Sequence, residues 1–175
     1  MVYLVILLAL AAFLFWVSRK PDDFTVSRQI TINAMPTDIF PWINNLKNMN
    51  QWNPWAGEDP KSTIAYQGPE EGPGAIYTWS GGKQGAGKFT ILDVKQPNEL
   101  NCRLEMIKPF AADNNVHYSI RESNGTTIVV WRMSGKNAFI HKLMQSFFSM
   151  DKMVGKEFER GLASLKRFVE LKKVN

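Results

Sequence analysis

The chain has 175 residues, of which 45% are hydrophobic, 12% aromatic and 21% charged, enough to bury one substantial core. Ordinary charge content, six Trp, four Tyr and eleven Phe, and no repeating period exclude a disordered chain, a solenoid and a collagen-like array. The single cysteine, Cys102, leaves no internal disulfide and no multi-cysteine zinc or iron–sulfur site.

From Met1 to Val17 the sequence MVYLVILLALAAFLFWV carries no charge, and a helix of that length spans roughly 25 Å at 1.5 Å per residue. Phe15 and Trp16 precede Ser18, Arg19 and Lys20, an aromatic-then-basic order suited to a bilayer interface, and Pro21 stops the helix. Residues 1–18 are therefore expected to form a transmembrane anchor, residues 19–23 a linker and residues 24–173 the folded domain. The rival is a cleaved signal peptide with Ala9-Leu10-Ala11 as its small-x-small site. No basic residue precedes the apolar stretch, and cleavage there leaves Ala-Phe-Leu-Phe-Trp-Val at the new terminus, which favours the uncleaved anchor. Arg19 and Lys20 place the domain in the cytoplasm by the positive-inside rule.

Phe24, Val26, Ile30 and Ile32 alternate with polar neighbours, which predicts a half-buried strand. Arg28 falls on its apolar face, where it needs an acidic partner or a polar cavity. Pro36 and Thr37 open a short helix with Ile39, Phe40, Ile43 and Leu46 on one side and a kink at Pro41. The stretch NMNQWNPWAGEDPKST is read as an irregular loop whose Trp52 and Trp55 fold back onto the core.

From Ser62 to Gly135, strand patterns alternate with turn signals: Gly68-Pro69, Gly72-Pro73-Gly74, Gly81-Gly82, Pro97-Asn98, Asn114-Asn115 and Asn124-Gly125. The expected antiparallel sheet puts Tyr77 with Trp79, Leu104 with Met106, Tyr118 with Ile120, and Trp131 with Met133 on its inner face. Ala138 to Lys173 is read as one long helix whose stripe runs through Ile140, Met144, Phe147, Val154, Phe158, Leu165 and Phe168. The net charge of +5 resides in the segment from Lys136 to the last residue, Asn175. Up to Gly135 twelve basic residues balance twelve acidic ones, whereas Lys136 to Asn175 holds nine basic against four acidic. A solvated helix face explains it, attraction to anionic lipid is a second reading, and no nucleic-acid partner is expected.

The order strand, helix, Trp loop, six-strand meander and long C-terminal helix resembles the helix-grip fold of the START-like (SRPBCC) superfamily, in its polyketide cyclase/dehydrase-type branch. FTVSRQITINAMPTDIF (Phe24 to Phe40) resembles that family's opening strand and helix, QWNPW (Gln51 to Trp55) its Trp loop, and MDKMVGKEFERGLASLK (Met150 to Lys166) its closing helix. The resemblance implies an α+β fold: a curved antiparallel sheet wrapped around the C-terminal helix, with an apolar cavity for a hydrophobic small molecule or lipid. It does not imply one reaction.

Gly82 to Lys88 fits seven positions of a phosphate-binding P-loop, but Phe89 stands where Ser or Thr would hold magnesium and a strand follows, so a glycine-rich hairpin is expected. His117 and His141 lack metal-ligand spacing, no nucleophile elbow occurs, and neither cofactor nor metal is expected. Asp151 falls within the apolar stripe of the last helix. It is either a salt-bridge partner of Arg132 or Arg28, or a polar anchor or general base in the cavity. The candidate cavity residues are Trp55, Tyr77, Trp79, Met106, Tyr118, Trp131, Phe147 and Asp151. The expected function is a membrane-anchored, noncatalytic binding protein. A cyclase- or hydrolase-like enzyme using Asp151 or a cavity tyrosine, and a ligand-free adaptor with a basic helix, are the alternatives.

Overall fold

The computed structural model describes residues 1–56 and 61–172. Helix α1 (Val2–Ser18) leads into strand β1 (Asp23–Ile32), then helices α2 (Pro36–Asn44) and α3 (Leu46–Trp52). Strands β2 (Thr63–Gln67), β3 (Ile76–Ser80), β4 (Ala86–Lys95), β5 (Glu99–Lys108), β6 (Ala112–Ser123) and β7 (Thr126–Lys136) follow, and α4 (Phe139–Met144) and α5 (Met150–Lys172) close the chain. The seven strands form one curved antiparallel sheet in the order β1-β7-β6-β5-β4-β3-β2, so the first strand returns to pair with the last.

Register fixes which side chains meet. Tyr77, Phe89, Leu104, Asn114 and Gly135 form one row across the inner face, and Leu100, Tyr118, Trp131 and Arg28 another. Between β6 and β7 the two-residue turn has Asn124 and Gly125 at positive φ, 52° and 76°, as a tight hairpin requires. The Gly82–Lys88 segment is likewise a turn running into β4, with Phe89 buried on the inner face. Asn114 and Asn115 are not a turn: they lie within β6, continuing its inward alternation, and the reversal is at residues 109–111.

The Trp loop is more regular than expected. Asn45 breaks the α2 helix and caps a new one, its side-chain oxygen accepting from the backbone N–H groups of Lys47 and Asn48 at 3.0 and 3.2 Å. Trp52 thus sits in α3, fully buried, its indole N–H donating to the Trp42 carbonyl at 2.7 Å. Positions 57–60 of the loop, and Lys173 at the expected domain end, lie outside the described residues.

The long C-terminal helix is two helices. Residues 145–149 interrupt it, and the hydroxyl of Ser149 accepts from the N–H of Lys152 at 3.3 Å to start α5 afresh. Phe158, Leu162, Leu165 and Val169 of α5 enter the core, whereas Ile140, Met144 and Phe147 are exposed.

Among the described residues no helix is long and apolar enough to cross a membrane, so the expected transmembrane span is not supported. Helix α1 has 17 residues, about 25 Å against a hydrocarbon core of about 30 Å. Its last two turns are also committed to the domain: Val17 is fully buried and the Phe13 ring packs 6.1 Å from Phe147. Above those turns, Val2 to Leu8 are exposed on every side. Residues 19–22 are tied down too. The buried ammonium of Lys142 donates to the Ser18 carbonyl at 3.2 Å and pairs with Asp22, and Asn137 donates its N–H to the Asp22 carbonyl.

Candidate ligand cavity

Helix α5 packs along β1, with α2 and α3 against it, and leaves a gap over the middle of the sheet. Three polar ties hold α5 to β1 and to the residue that follows it. Arg28 grips Asp151 and Glu159, Lys166 donates to the Thr31 carbonyl at 2.9 Å, and Glu170 accepts from the Asn33 N–H at 2.8 Å.

The gap is a cavity of about 370 Å³ between the inner face, α3 and α5, within the range of small-molecule sites. Trp55, Tyr77, Trp79, Met106, Tyr118 and Trp131 all line it, joined by Phe158 and Val154 of α5 and Met49 of α3. Among the described residues, no acidic or basic side chain and no histidine does.

One wall is a cluster of rings. Trp131 stacks on Phe158 with centroids 4.0 Å apart and planes 8° from parallel, and meets Trp52 and Trp55 edge-on at 5.5 and 5.9 Å. Such offset and T-shaped contacts fix each ring's orientation. Gly161 permits the arrangement, because a Cβ there would press on Pro54 and on the Trp131 ring, 2.8 and 2.9 Å away. The opposite wall is Tyr77 stacked with Trp79 at 5.5 Å. Trp79 lies over Gly87, where any Cβ would collide with its ring. Gln84 joins the two walls, its amide donating to the Trp55 carbonyl at 2.6 Å while its own carbonyl accepts from Trp79 Nε1 at 3.4 Å.

Burial pushes the Tyr77 hydroxyl up to about 12 and the Tyr118 hydroxyl well above its ordinary value. Cys102 is buried beneath the sheet's inner surface and its thiol is likewise pushed up, so it is a packing residue with little thiolate character.

Two expected cavity residues stand elsewhere. Phe147 belongs to the interruption between α4 and α5 and is exposed beside Phe13 of α1. Asp151 is exposed and turned toward β1: Arg28 donates to its two carboxylate oxygens at 2.9 and 3.0 Å and to Glu159 at 2.7 Å. The residues at 151, 155 and 159 share one helix face, and Gly155 leaves the space the guanidinium fills. Of the two partners considered for Asp151, the structure selects Arg28.

Sequence reasoning missed Asn114, Gln84, Asn53 and Phe89 in the lining. For Asn114 the signal is present in the sequence, since it continues the alternation of Val116, Tyr118 and Ile120, but an Asn-Asn pair also reads as a turn.

The family described as polyketide cyclase/dehydrase and lipid transport matches residues 23–170. No curated protein sequence matches the chain significantly. Among solved structures, a protein of Rhizobium leguminosarum is similar with a TM-score of 0.60 at 12% identity, covering 85% of this chain and 95% of that one. One of Chromobacterium violaceum gives 0.61 at 10%, covering 83% and 96%, and one of Mycobacterium smegmatis 0.57 at 14%, covering 85% and 92%. At these identities the likeness is one of fold.

Proposed function

We propose a function from one premise: this chain belongs to the polyketide cyclase/dehydrase and lipid transport family. Its cavity holds one hydrophobic small molecule or lipid, without chemistry, and releases it unchanged. The observation that supports this reading is the lining itself, about 370 Å³ of aromatic and aliphatic wall with no charged group among the described residues. Apolar burial at about 25 cal/mol per Å² drives affinity. Trp55, Tyr77, Trp79, Met106, Tyr118 and Trp131 are the ligand contacts.

The enzyme alternative finds less support. Asp151 is held by Arg28 outside the lining, and burial moves the Tyr77 and Tyr118 hydroxyls still further above neutral pH, which leaves less phenolate to act as a base.

Helix α1 is the membrane-contacting element. A helix apolar on all sides needs cover, and lipid supplies it without the helix having to cross the bilayer. Trp16, with Lys20 Nζ 4.4 Å over its ring, suits the headgroup level. Arg19 and Lys20 favour the cytoplasmic side.

A neutral fluorescent probe, N-phenyl-1-naphthylamine, tests the cavity reading on the full chain. It binds one to one, and Leu104→Trp, which puts an indole into the cavity, weakens binding more than tenfold. Equal binding by a folded Leu104→Trp variant would sink the proposal.

A further inference from the structure

Asn114 is an anomaly in its row. Its neighbours across the inner face are Leu104 and Gly135, it is 6% exposed, and its side-chain oxygen has no hydrogen-bond partner among the described residues. A buried amide without partners is costly, and an apolar side chain of similar size is more stable in such a wall. Gly135 makes room for it, since a Cβ at that position would strike the Asn114 amide. The residue therefore occupies a fitted place in the cavity lining with hydrogen-bonding capacity left over.

That capacity is of one kind. An amide offers a donor and an acceptor, and a half-turn about its last bond exchanges them without changing its shape. It carries no charge, and neither does any other described lining residue. The one cation on the inner face within the rows described, Arg28, is committed to Asp151, Glu159 and the Ser27 carbonyl. An ionised head group entering the cavity would find nothing to balance it. A hydroxyl or amide head would find Asn114.

We infer that Asn114 is the polar anchor of the cavity and that its ligand is a neutral amphiphile, an apolar body bearing an uncharged hydrogen-bonding head, rather than a fatty acid or other ion. This rests on the binding-protein reading and narrows it. A site built to bond a hydroxyl discriminates sharply against an analogue lacking it, because its own polar group is then left unpaired.

Three probes of one chain length test the inference on the full chain in phosphatidylcholine nanodiscs at pH 8: 11-bromoundecan-1-ol, 11-bromoundecanoate and 1-bromoundecane. Bromine quenches the indoles it touches, and Trp55, Trp79 and Trp131 line the cavity. The alcohol saturates the quenching at least tenfold more tightly than the carboxylate. Asn114→Val weakens the alcohol about tenfold, leaves the bromoalkane as tight or tighter, and raises the thermal midpoint because the unpaired amide is gone. Asn114→Ser, which keeps a donor and an acceptor, retains most of the preference for the alcohol. A carboxylate that binds as tightly as the alcohol, or an alcohol-to-alkane ratio unchanged in both variants, overturns the inference. If the bromoalkane saturates while that ratio ignores position 114, the anchor falls and the binding-protein reading stands. If none of the three saturates, both fall.

Discussion

The contact between Arg28 and Gly155 reverses an ordinary expectation. Alanine is worth about 1 kcal/mol more than glycine inside a helix, yet a Cβ at 155 would enter the Arg28 guanidinium. Gly155→Ala is predicted to forfeit that advantage and leave stability level with or slightly below the parent, because the guanidinium must shift off Asp151 and Glu159 to admit the Cβ, measured by urea unfolding. On an Arg28→Met background the same change costs less or stabilises, and a double-mutant cycle isolates the coupling. The Arg28 guanidinium also holds the Asp151 carboxyl below its ordinary value. A depressed carboxyl contributes stability above its unfolded value, near 3.9, and loses it as pH falls through the folded value. Asp151→Asn therefore flattens the acid limb of the stability curve below about pH 4 and leaves its shape at neutral pH unaltered. The need of Arg28 for acidic partners was legible in the strand's alternation, because a charge on an apolar face must be answered. That Asp151 supplied it from outside the cavity was not, since a stripe drawn through Phe147 assumed one unbroken helix.

At the scale of elements, the strands and their inner faces were legible because period-2 alternation and Gly/Pro/Asn turns are local signals. The breaks in the helices were harder. Asn45 and Ser149 are capping residues inside otherwise periodic segments, and whether such a residue caps or merely rides on a helix is decided by packing. Asn114 carries the same ambiguity, as an Asn pair fits a turn as readily as the start of a strand. The junction of α1 with α4 yields an element-scale prediction. Lys142 is buried with Asp22 and the Ser18 carbonyl as partners, so Lys142→Met removes both ties between α4 and the end of α1. Trypsin should then cut after Arg19 several-fold faster than in the parent chain, read by gel at matched enzyme ratios. An unchanged rate would show that the packing of Phe13 and Val17 and the Asn137 hydrogen bond fix α1 without Lys142.

For the whole molecule, two apolar surfaces need explanation, one inside and one outside. The inner one is the cavity, whose walls are held apart by rigid ring contacts and by glycines that let rings lie flat on backbone. The outer one is α1, exposed from Val2 to Leu8 and locked to the domain at its other end. A carrier fixed in this way at a bilayer would keep its cavity at a constant attitude to the lipid from which it loads. Flotation of the full chain with phosphatidylcholine vesicles is predicted to persist in 1 M NaCl, because apolar burial is not screened; release by salt would instead assign membrane contact to the basic face of α5. Whether the cavity holds a ligand is decided by native mass spectrometry of the full chain, isolated from cells and combined with solvent extraction. One apolar, uncharged passenger per chain is expected, lost in Leu104→Trp. A bare mass that persists after incubation with lipid and quinone mixtures would contradict it.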